Sequence, residues 1–285
     1  MKCLNSTQCH REPVPRHAGG FTLIELLTVI AIIGILAAIL IPTVGKVRKT
    51  TKFSINVSNV RQWTVACTLH MQEWKGFVPY QGSGSLSASS ATDITPYPGI
   101  GVLPWWNALP PYIGQKRLAD LVLKGGKLPT LGDNSIWVSP LAENNNPANA
   151  WAAFLCYAPA RSSNTPGSSA ANQYVANFGR LTKNAPRAVP SRTVMFGETP
   201  HFSTALRSGV PYPFFNATTS PNSVGPYNRN GSSTENGGLQ GKAALGMYDG
   251  SVRILTGTQI AAHGTDLNAE RGENPDNIVW RLTPN

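Results

Sequence analysis

The sequence predicts an α+β protein in which a long N-terminal helix packs on an antiparallel β-sheet head with long loops. Three observations support this fold class. Residues 21–41 form an apolar stretch whose only charge is Glu25. A seven-residue repeat of mostly apolar side chains follows at residues 53–74, as is typical of an amphipathic helix. Near the C-terminus, alternating apolar segments flank Asp249-Gly250, which indicates a β-hairpin.

The apolar stretch at residues 21–41 is long enough to cross a membrane. At about 1.5 Å per residue it makes a helix of roughly 30 Å, close to the thickness of a hydrocarbon core. A secretory signal peptide has a shorter apolar region followed by small residues, whereas here Gly19 and Gly20 precede the stretch. An ordinary anchor has no need of Glu25, and a carboxylate in lipid usually has a partner. We therefore expect Glu25 to pair with the N-terminus of another copy.

The residues around this carboxylate resemble the N-terminal segment of type IV prepilins and type II secretion pseudopilins. The resemblance covers GFTLIELL from Gly20, the apolar run to Ile41 and then Pro42. It implies that a membrane-embedded aspartyl peptidase cuts between Gly20 and Phe21 and methylates the new amine of Phe21. It also implies that this amine pairs with Glu25 of a neighbouring subunit during assembly, so that both charges are compensated in a medium of low dielectric constant.

The resemblance divides the chain into four parts. They are a leader at residues 1–20, a membrane-spanning half-helix at 21–42, an amphipathic half-helix at 43–75 and an extracytoplasmic head at 76–285. A pilin-like fold is implied, with one span of the inner membrane, the leader in the cytoplasm and the head in the periplasm before transfer into a pseudopilus or surface filament. The implied partners are the prepilin peptidase, the inner-membrane assembly platform, and other copies and related subunits.

Small residues and a proline mark the predicted span. Gly34 and Ala38 have the small-xxx-small spacing that lets helices approach closely in membranes, although both residue types are common in such helices anyway. Pro42 lacks an amide hydrogen, so we expect it to kink or loosen the helix near Ala38.

Basic residues flank the span on both sides. Three precede it and four follow it, so the positive-inside rule does not decide the orientation, and we follow the resemblance instead. The four that follow are expected to lie near lipid headgroups, to face acidic neighbours in a filament or to form a solvated helix face. The set comprises Lys2, Arg11 and Arg16 before the span and Lys46, Arg48, Lys49 and Lys52 after it.

The predicted helix continues beyond Pro42 with one apolar face. The repeat predicts a helix as far as about Trp74, with Gly76 as its terminator. Two interleaved series, each with a spacing of seven, make up the stripe: Phe53, Val60, Cys67 and Trp74, and Val57, Thr64 and Met71.

The head shows weaker local signals. Strands are predicted at residues 192–197 and on both sides of Asp249-Gly250, with this pair forming a two-residue turn, and a short helix is predicted at 117–123. Residues 81–95 are rich in small residues and are expected to form a loop. Trp105 and Trp106 fit either a sugar-stacking surface or the core, and the core is favoured because Trp is usually buried.

Parts of the head are similar to a large pseudopilin-like family of planctomycete- and verrucomicrobium-type bacteria. The matching pieces are residues 59–62 with 69–70, then 193–198, then 241–252. Members of that family carry a histidine ten positions before the Asp of Asp-Gly, where this chain has Leu239.

Composition points to an exported, loop-rich protein. Charged residues make up 13% of the chain, against 27 glycines and 23 prolines. The net charge of +10 can attract polyanions, but no cluster of Lys and Arg follows Lys52, so nucleic acid is not an expected partner. Cys67 and Cys156 remain after removal of the leader, and they form either one disulfide or two buried thiols.

No motif for catalysis is found in the sequence. It lacks Gly-x-Ser-x-Gly, His-Glu-x-x-His and a phosphate-binding glycine loop, and His201 and His263 are isolated. We therefore expect no enzymatic activity and no cofactor. One exception is calcium, which a C-terminal set of oxygen donors could bind, as in the major pseudopilins that the N-terminus resembles. The set is Asp266, Asn268, Glu270, Glu273 and Asp276.

The sequence is compatible with three functions. The first is a subunit of a type II secretion pseudopilus, and the second is a type IV pilus subunit for adhesion, motility or DNA uptake. The third is a membrane-tethered binding protein or enzyme that reuses the export signal. We favour the first.

Overall fold

The fold combines one long helix with a four-stranded antiparallel sheet. A computed structural model describes residues 21–77, 79, 94, 103–123, 135–141, 157–159, 189–198, 242–262 and 275–279. The helices are α1 (Leu23–Glu73), α2 (Trp105–Ala108), a 3₁₀ helix (Pro110–Ile113), α3 (Leu118–Leu123) and α4 (Gly257–Ala262), and the strands are β1 (Tyr157–Pro159), β2 (Val194–Glu198), β3 (Lys242–Met247) and β4 (Val252–Thr256). The α+β, pilin-like class predicted from the sequence is confirmed.

Helix α1 runs without interruption from Leu23 to Glu73, and the chain divides into two compact units between Arg48 and Lys49. The predicted end of the helix at Trp74 is one residue too far. A turn follows Glu73, and the amide of Gly76 donates to the carbonyl of Met71 at 2.7 Å. Gly76 has a φ of 86°, so it adopts the left-handed conformation that commonly ends helices, as predicted.

The sheet has the strand order β1-β2-β3-β4, and every neighbouring pair is antiparallel. The register between β2 and β3 shifts by one residue between Val194 and Phe196, which marks a β-bulge at Met195. Thr193 forms a parallel bridge with Val279, so the C-terminal segment joins the start of β2. The strand predicted at 192–197 corresponds to β2, which begins two residues later and ends one residue later than predicted.

The β3–β4 hairpin is confirmed, but its turn is longer than predicted. Gly246 pairs with Val252, and the amide of Met247 donates to Ser251, which leaves three residues in the loop. Gly250 has a φ of 85° and occupies the last loop position. The two-residue turn was therefore wrong: a glycine after a type I turn gives the common three-residue hairpin loop, whose glycine takes the left-handed conformation.

Two apolar layers cover the two faces of β3, and all its residues from Ala243 to Met247 are buried. One layer contains Ala244 together with α1 side chains around Trp63. The other contains Ala243, Leu245 and Met247 with side chains from β2, β4 and the C-terminal segment. Because both faces are covered, the alternation of apolar and polar residues expected for a half-exposed strand is absent from β3.

Helix α1 and strand β3 approach each other closely at Gly246. A Cβ atom built on this residue would lie 1.8 Å from Thr64 Oγ1 and 2.9 Å from Thr64 Cβ. Such distances are far inside van der Waals contact, so only glycine fits here without a shift of the helix or the strand. Glycine in the middle of a strand commonly marks such a close approach.

Candidate processing and assembly site

The first turn of α1 holds Glu25 in a capping box. The helix begins at Leu23, so Thr22 is the N-cap residue and Glu25 is the third helical residue. The backbone amide and the hydroxyl of Thr22 both donate to Glu25 Oε2, each at 2.8 Å. In return, the Glu25 amide donates to Thr22 Oγ1 at 3.3 Å. This reciprocal arrangement satisfies two amides at the start of the helix and fixes the carboxylate over the first turn.

The capping box gives Glu25 a partner within its own helix. The sequence analysis expected a partner only in another copy and missed Thr22. The Thr-x-x-Glu spacing directly before an apolar run was the signal that could have found it. The negative charge of a carboxylate at this position also interacts favourably with the positive end of the helix dipole.

The predicted cleavage site adjoins this cap. Phe21 immediately precedes Thr22 and is 81% exposed, while Gly20 lies outside the described residues. Cleavage between Gly20 and Phe21 would place a charged amine one residue from the group that already donates to Glu25. The predicted roles of these two residues, and the pairing of the amine with Glu25 of a neighbour, stay predictions.

The apolar half of α1 exposes large side chains on all sides. Every residue from Phe21 to Lys52 is exposed except Ala37, and large aliphatic side chains occupy all faces of the helix up to Ile41. Among the described residues, α1 is the one helix that is long and apolar enough to cross a membrane, as judged by length and composition. A helix that is apolar all round needs lipid or other helices to cover it. This half of α1 therefore suggests membrane anchoring.

The small residues and the proline of this half lie within the unbroken helix. A Cβ atom built on Gly34 would have nothing within 4 Å, so the surface here is open to a neighbouring helix. Pro42 lies inside α1, which is helical on both sides of it. The predicted kink at Pro42 and the predicted close packing at Gly34 and Ala38 stay predictions.

The second half of α1 packs against residues of the head through Trp63. This side chain is fully buried, and its indole N–H donates to the carbonyl of Ile136 at 3.1 Å. Its ring contacts Trp137, Trp105 and Phe196 with centroid distances of 4.8, 5.6 and 5.8 Å. The predicted stripe is confirmed at Val60, Thr64 and Cys67, which are buried, and is half-buried at Phe53, Val57, Met71 and Trp74. The sequence analysis missed its centre, since Trp63 is outside both predicted series.

The C-terminal end of α1 is held by a cluster of polar aromatic contacts. His70 is 1% exposed and lies between the rings of Trp74 and Tyr112, with centroids 5.8 and 5.9 Å away. His70 Nδ1 lies 3.1 Å from the carbonyl oxygen of Phe77, which only accepts, so Nδ1 carries the proton. Burial lowers the pKa of His70 to about 4, although the contact with Phe77 and the charge of Glu73 oppose this shift.

Tyr112 completes this cluster. Its hydroxyl donates to Glu73 Oε2. Burial is the main cause that raises the pKa of Tyr112 to about 12, and this hydrogen bond is the second. The cluster therefore joins the last turn of α1 to the 3₁₀ helix and to the segment after the helix.

Trp105 and Trp106 belong to the hydrophobic core. Both side chains are almost fully buried in the core that surrounds Trp63, which excludes the sugar-stacking surface and confirms the core. The helix predicted at 117–123 is confirmed as α3. Cys67 is a buried thiol without a disulfide, and burial raises its pKa, as expected for an unreactive thiol. Cys156 lies outside the described residues.

Other predicted features fall mostly outside the described residues. Of the five oxygen donors proposed for calcium, Asp276 alone is described, and its Oδ1 accepts from Gln259 Nε2 at 3.4 Å. No cluster of three or more His, Cys, Asp and Glu side chains occurs within the described ranges. His201, His263 and Leu239 are outside them, as are residues 81–93 and 95 of the predicted loop.

Comparison with protein-family models gives a match in the N-terminal part of the chain. Residues 15–41 match the family model described as the prokaryotic N-terminal methylation motif. Neither the comparison with curated proteins nor that with solved structures gives a significant match. The motif supports the type IV pilin and pseudopilin-like family for the N-terminal part and implies a subunit that prepilin peptidase processes and that assembles with other pilin subunits.

Proposed function

We propose that this chain is a pseudopilin of a type II secretion system, cut between Gly20 and Phe21, methylated on Phe21 and assembled into a pseudopilus that exports proteins. The N-terminal methylation motif implies a processed pilin-like filament subunit.

The observation that carries the proposal is the position of Glu25. It lies in the first turn of a 51-residue helix whose N-terminal half is apolar and exposed. A carboxylate at the start of such a surface is expensive to place in lipid unless an opposite charge compensates it. The amine released by cleavage at Phe21 of a neighbouring subunit would supply the required opposite charge.

The length and composition of the head favour a specialised subunit over the major subunit of a densely packed filament. About 210 residues follow Gly76, and glycine and proline are abundant in them. Such a head has room for long connections that carry contacts to other subunits or to exported proteins. This feature favours a pseudopilus over a long pilus of identical, closely packed subunits.

The cleavage is tested by mass spectrometry of the chain isolated from membranes. We expect an N-terminus at Phe21 with a mass increase of one methyl group. A chain that keeps Gly19 and Gly20 would contradict the proposal. A Gly20→Ala variant tests whether the peptidase requires glycine before the cut, and we expect loss of processing.

The role of Glu25 is tested with two substitutions that remove its charge. Glu25→Gln keeps an oxygen that can accept from Thr22, whereas Glu25→Ala removes the cap as well. We expect both variants to be cut and methylated but to fail in assembly, because each leaves the amine of a neighbour uncompensated. Normal filaments built from Glu25→Gln subunits would contradict the charge pairing.

The type of filament is tested by deletion of the gene. Loss of protein secretion with no loss of long surface filaments supports the pseudopilus. Loss of surface filaments with normal secretion supports a type IV pilus subunit instead. Activity or ligand binding that needs neither assembly nor secretion supports the membrane-tethered alternative.

We propose a structural role without catalysis and without a required cofactor. We propose calcium separately as a ligand of the C-terminal oxygen donors. Equilibrium dialysis of the detergent-solubilised full chain against calcium tests it, with an Asp266→Asn/Glu270→Gln variant as control. No binding at millimolar calcium would contradict a site there.

A further inference from the structure

We propose that the outer edge of strand β4 binds an extended polypeptide segment that carries an acidic side chain. Strand β4 (Val252–Thr256) ends the strand order β1-β2-β3-β4, so within the described residues β3 is its only neighbouring strand. A peptide that adds a strand to such an edge gains main-chain hydrogen bonds, while the side chains beside it set the specificity. The site lies in the head and depends on neither cleavage nor charge pairing at the N-terminus of the mature chain.

The hydrogen bonds of the hairpin identify the residues of β4 that face outward. The amide of Met247 donates to the carbonyl of Ser251, so these two residues form a hydrogen-bonded pair. Hydrogen-bonded and non-hydrogen-bonded pairs alternate along an antiparallel ladder. Arg253 therefore directs its backbone groups to β3, whereas Val252 and Ile254 direct theirs away from it. Each of these two outward residues offers an amide and a carbonyl to a further strand.

The two edges of the sheet differ in how they are protected. At the opposite edge, β1 has three residues and ends in Pro159, which has no amide hydrogen. Natural sheets use short strands and prolines to prevent the pairing of exposed edges. Strand β4 has five residues without proline, and the side chain of Ile254 is 47% exposed. The amide of Thr256 is capped by Gln259 Oε1 at 2.9 Å, which leaves Val252 and Ile254 for a peptide to pair with.

Arg253 and Ile254 determine which side chains the partner needs. Ile254 lies on the same face of β4 as Val252, which packs against the core around Trp63. An apolar side chain of the partner on this face would extend the apolar layer. Arg253 lies on the other face and has Leu245 opposite it, so β3 places no carboxylate across from it. A carboxylate on the added strand would form a favourable cross-strand pair with Arg253.

A second copy of β4 does not meet these requirements. Antiparallel pairing of two β4 strands centred on Arg253 would place two arginines directly opposite each other, which is destabilising. Pairing centred on Ile254 would need the amide of Thr256, which Gln259 already holds. The partner is therefore a different segment, with a carboxylate between two apolar residues.

The test measures binding of a synthetic probe to the detergent-solubilised full chain. The probe is acetyl-Thr-Val-Glu-Val-Thr-amide with an uncharged fluorescent label, and its glutamate comes opposite Arg253 when its two valines pair with Val252 and Ile254. Fluorescence anisotropy gives the Kd, and hydrogen exchange at single-residue resolution gives the position. We expect slower exchange at the amides of Val252 and Ile254 when the probe is bound.

Two changes to the probe separate main-chain pairing from charge. Methylation of both valine amides removes the donors that face Val252 and Ile254 but keeps the charge, and it should weaken binding at least about tenfold. Replacement of the glutamate of the probe by glutamine should weaken binding about two- to fivefold. Replacement by lysine should weaken it further, because like charges then lie opposite each other.

Two variants of the chain with equal change of charge make the comparison specific. Arg253→Glu should reverse the preference, so that the lysine probe binds more tightly than the glutamate probe. Arg61→Glu, at an exposed position of α1, should keep the preference of the wild type. Ile254→Pro removes one outward amide, which edge strands tolerate, and should weaken binding of the glutamate probe about fivefold.

The possible results either support the site or overturn it. Absence of binding, or equal binding of the methylated and unmethylated probes, overturns the pairing of a strand with β4. An equal change of preference in Arg253→Glu and Arg61→Glu overturns the role of Arg253, because net charge alone would then explain it. Protection of Val252 and Ile254 that rises with protein concentration in the absence of the probe would assign the edge to a second copy instead. Processing at Phe21 and filament assembly are measured separately, so these results leave the proposed function untouched.

Discussion

The two halves of α1 belong to one helix but differ in what covers them. From Leu23 to Ile41 large aliphatic side chains are exposed in every direction. Between Asn56 and His70 only one face is buried, and it is buried against side chains of the same chain. The partner of the second half is therefore present in the protein, whereas the partner of the first half is a membrane or another molecule. Substitutions in the two halves should consequently affect different properties.

The largest expected effect is on the stability of the head in a Trp63→Ala variant. This substitution removes the indole that contacts Trp105, Trp137 and Phe196 and leaves a cavity. We expect the free energy of unfolding to fall by about 3–5 kcal/mol. Chemical denaturation of the full chain in detergent, followed by near-ultraviolet circular dichroism, measures the change.

The control for Trp63→Ala is Val65→Ala, two residues along the same helix. Val65 is 41% exposed, so its replacement should change stability by less than about 0.5 kcal/mol. Membrane extraction of both variants should equal that of the wild type, because neither substitution lies in the apolar half. Equal stability of the Trp63→Ala variant and the wild type would contradict the placement of the core.

The next effect is expected at the contact between α1 and β3. A Gly246→Ala variant places a Cβ atom against Thr64, and the overlap requires a shift of helix or strand. We expect a loss of about 3 kcal/mol, at the upper end for overpacking. A Thr64→Ala substitution removes the closest atom but keeps Thr64 Cβ, at 2.9 Å from the new atom. The double variant should therefore recover part of the loss, and additive losses would contradict the close contact.

A smaller effect is expected from pH through His70. Its pKa is about 4 in the folded protein against an ordinary 6.5, so the unfolded chain binds more protons between these values. The contribution of this pKa difference to the free energy of unfolding is present in full above pH 6.5 and is lost as the pH falls towards 4, with a total of about 3 kcal/mol. Within the part of the chain that the structure describes, Glu73 acts on the ring through its charge and Tyr112 contacts it.

A His70→Gln variant isolates this pH dependence. Glutamine can still donate to the carbonyl of Phe77 but does not titrate. The difference in unfolding free energy between wild type and variant should therefore shrink by about 2 kcal/mol between pH 7 and pH 4.5. A constant difference over this range would show that the histidine is not held in its neutral form.

Much of this architecture could be predicted from local sequence, and the failures have a common physical cause. The apolar half is evident from composition, and the buried face of the second half from its repeat. The importance of Trp63 could not be predicted, because its partner Ile136 lies 73 residues away. Strand β1 has three residues and owes its form to pairing with β2, which no local pattern encodes. Thr22 is different, since its Thr-x-x-Glu spacing was visible in the sequence.

The smallest expected effect separates two roles of the first turn, which are capping of the helix and pairing of the Glu25 charge with another subunit. Thr22→Val removes the hydroxyl that donates to Glu25 and accepts from its amide, but it keeps the backbone amide as one donor. We expect faster hydrogen exchange at the amide of Glu25 in the detergent-solubilised chain, because that amide loses its cap. Processing and assembly should continue, since the charge of Glu25 is intact.

The comparison of Thr22→Val with Glu25→Gln then distinguishes local capping from intermolecular charge compensation. If the first turn serves assembly mainly by fixing the helix start, Thr22→Val should impair filaments and Glu25→Gln should spare them. If the charge matters, the order reverses, and this is the result that we expect. A cap is satisfied within one chain, whereas a charge in the exposed apolar half of α1 needs a partner from outside that chain. Filament yield and amide exchange measured on the same two variants decide between these outcomes.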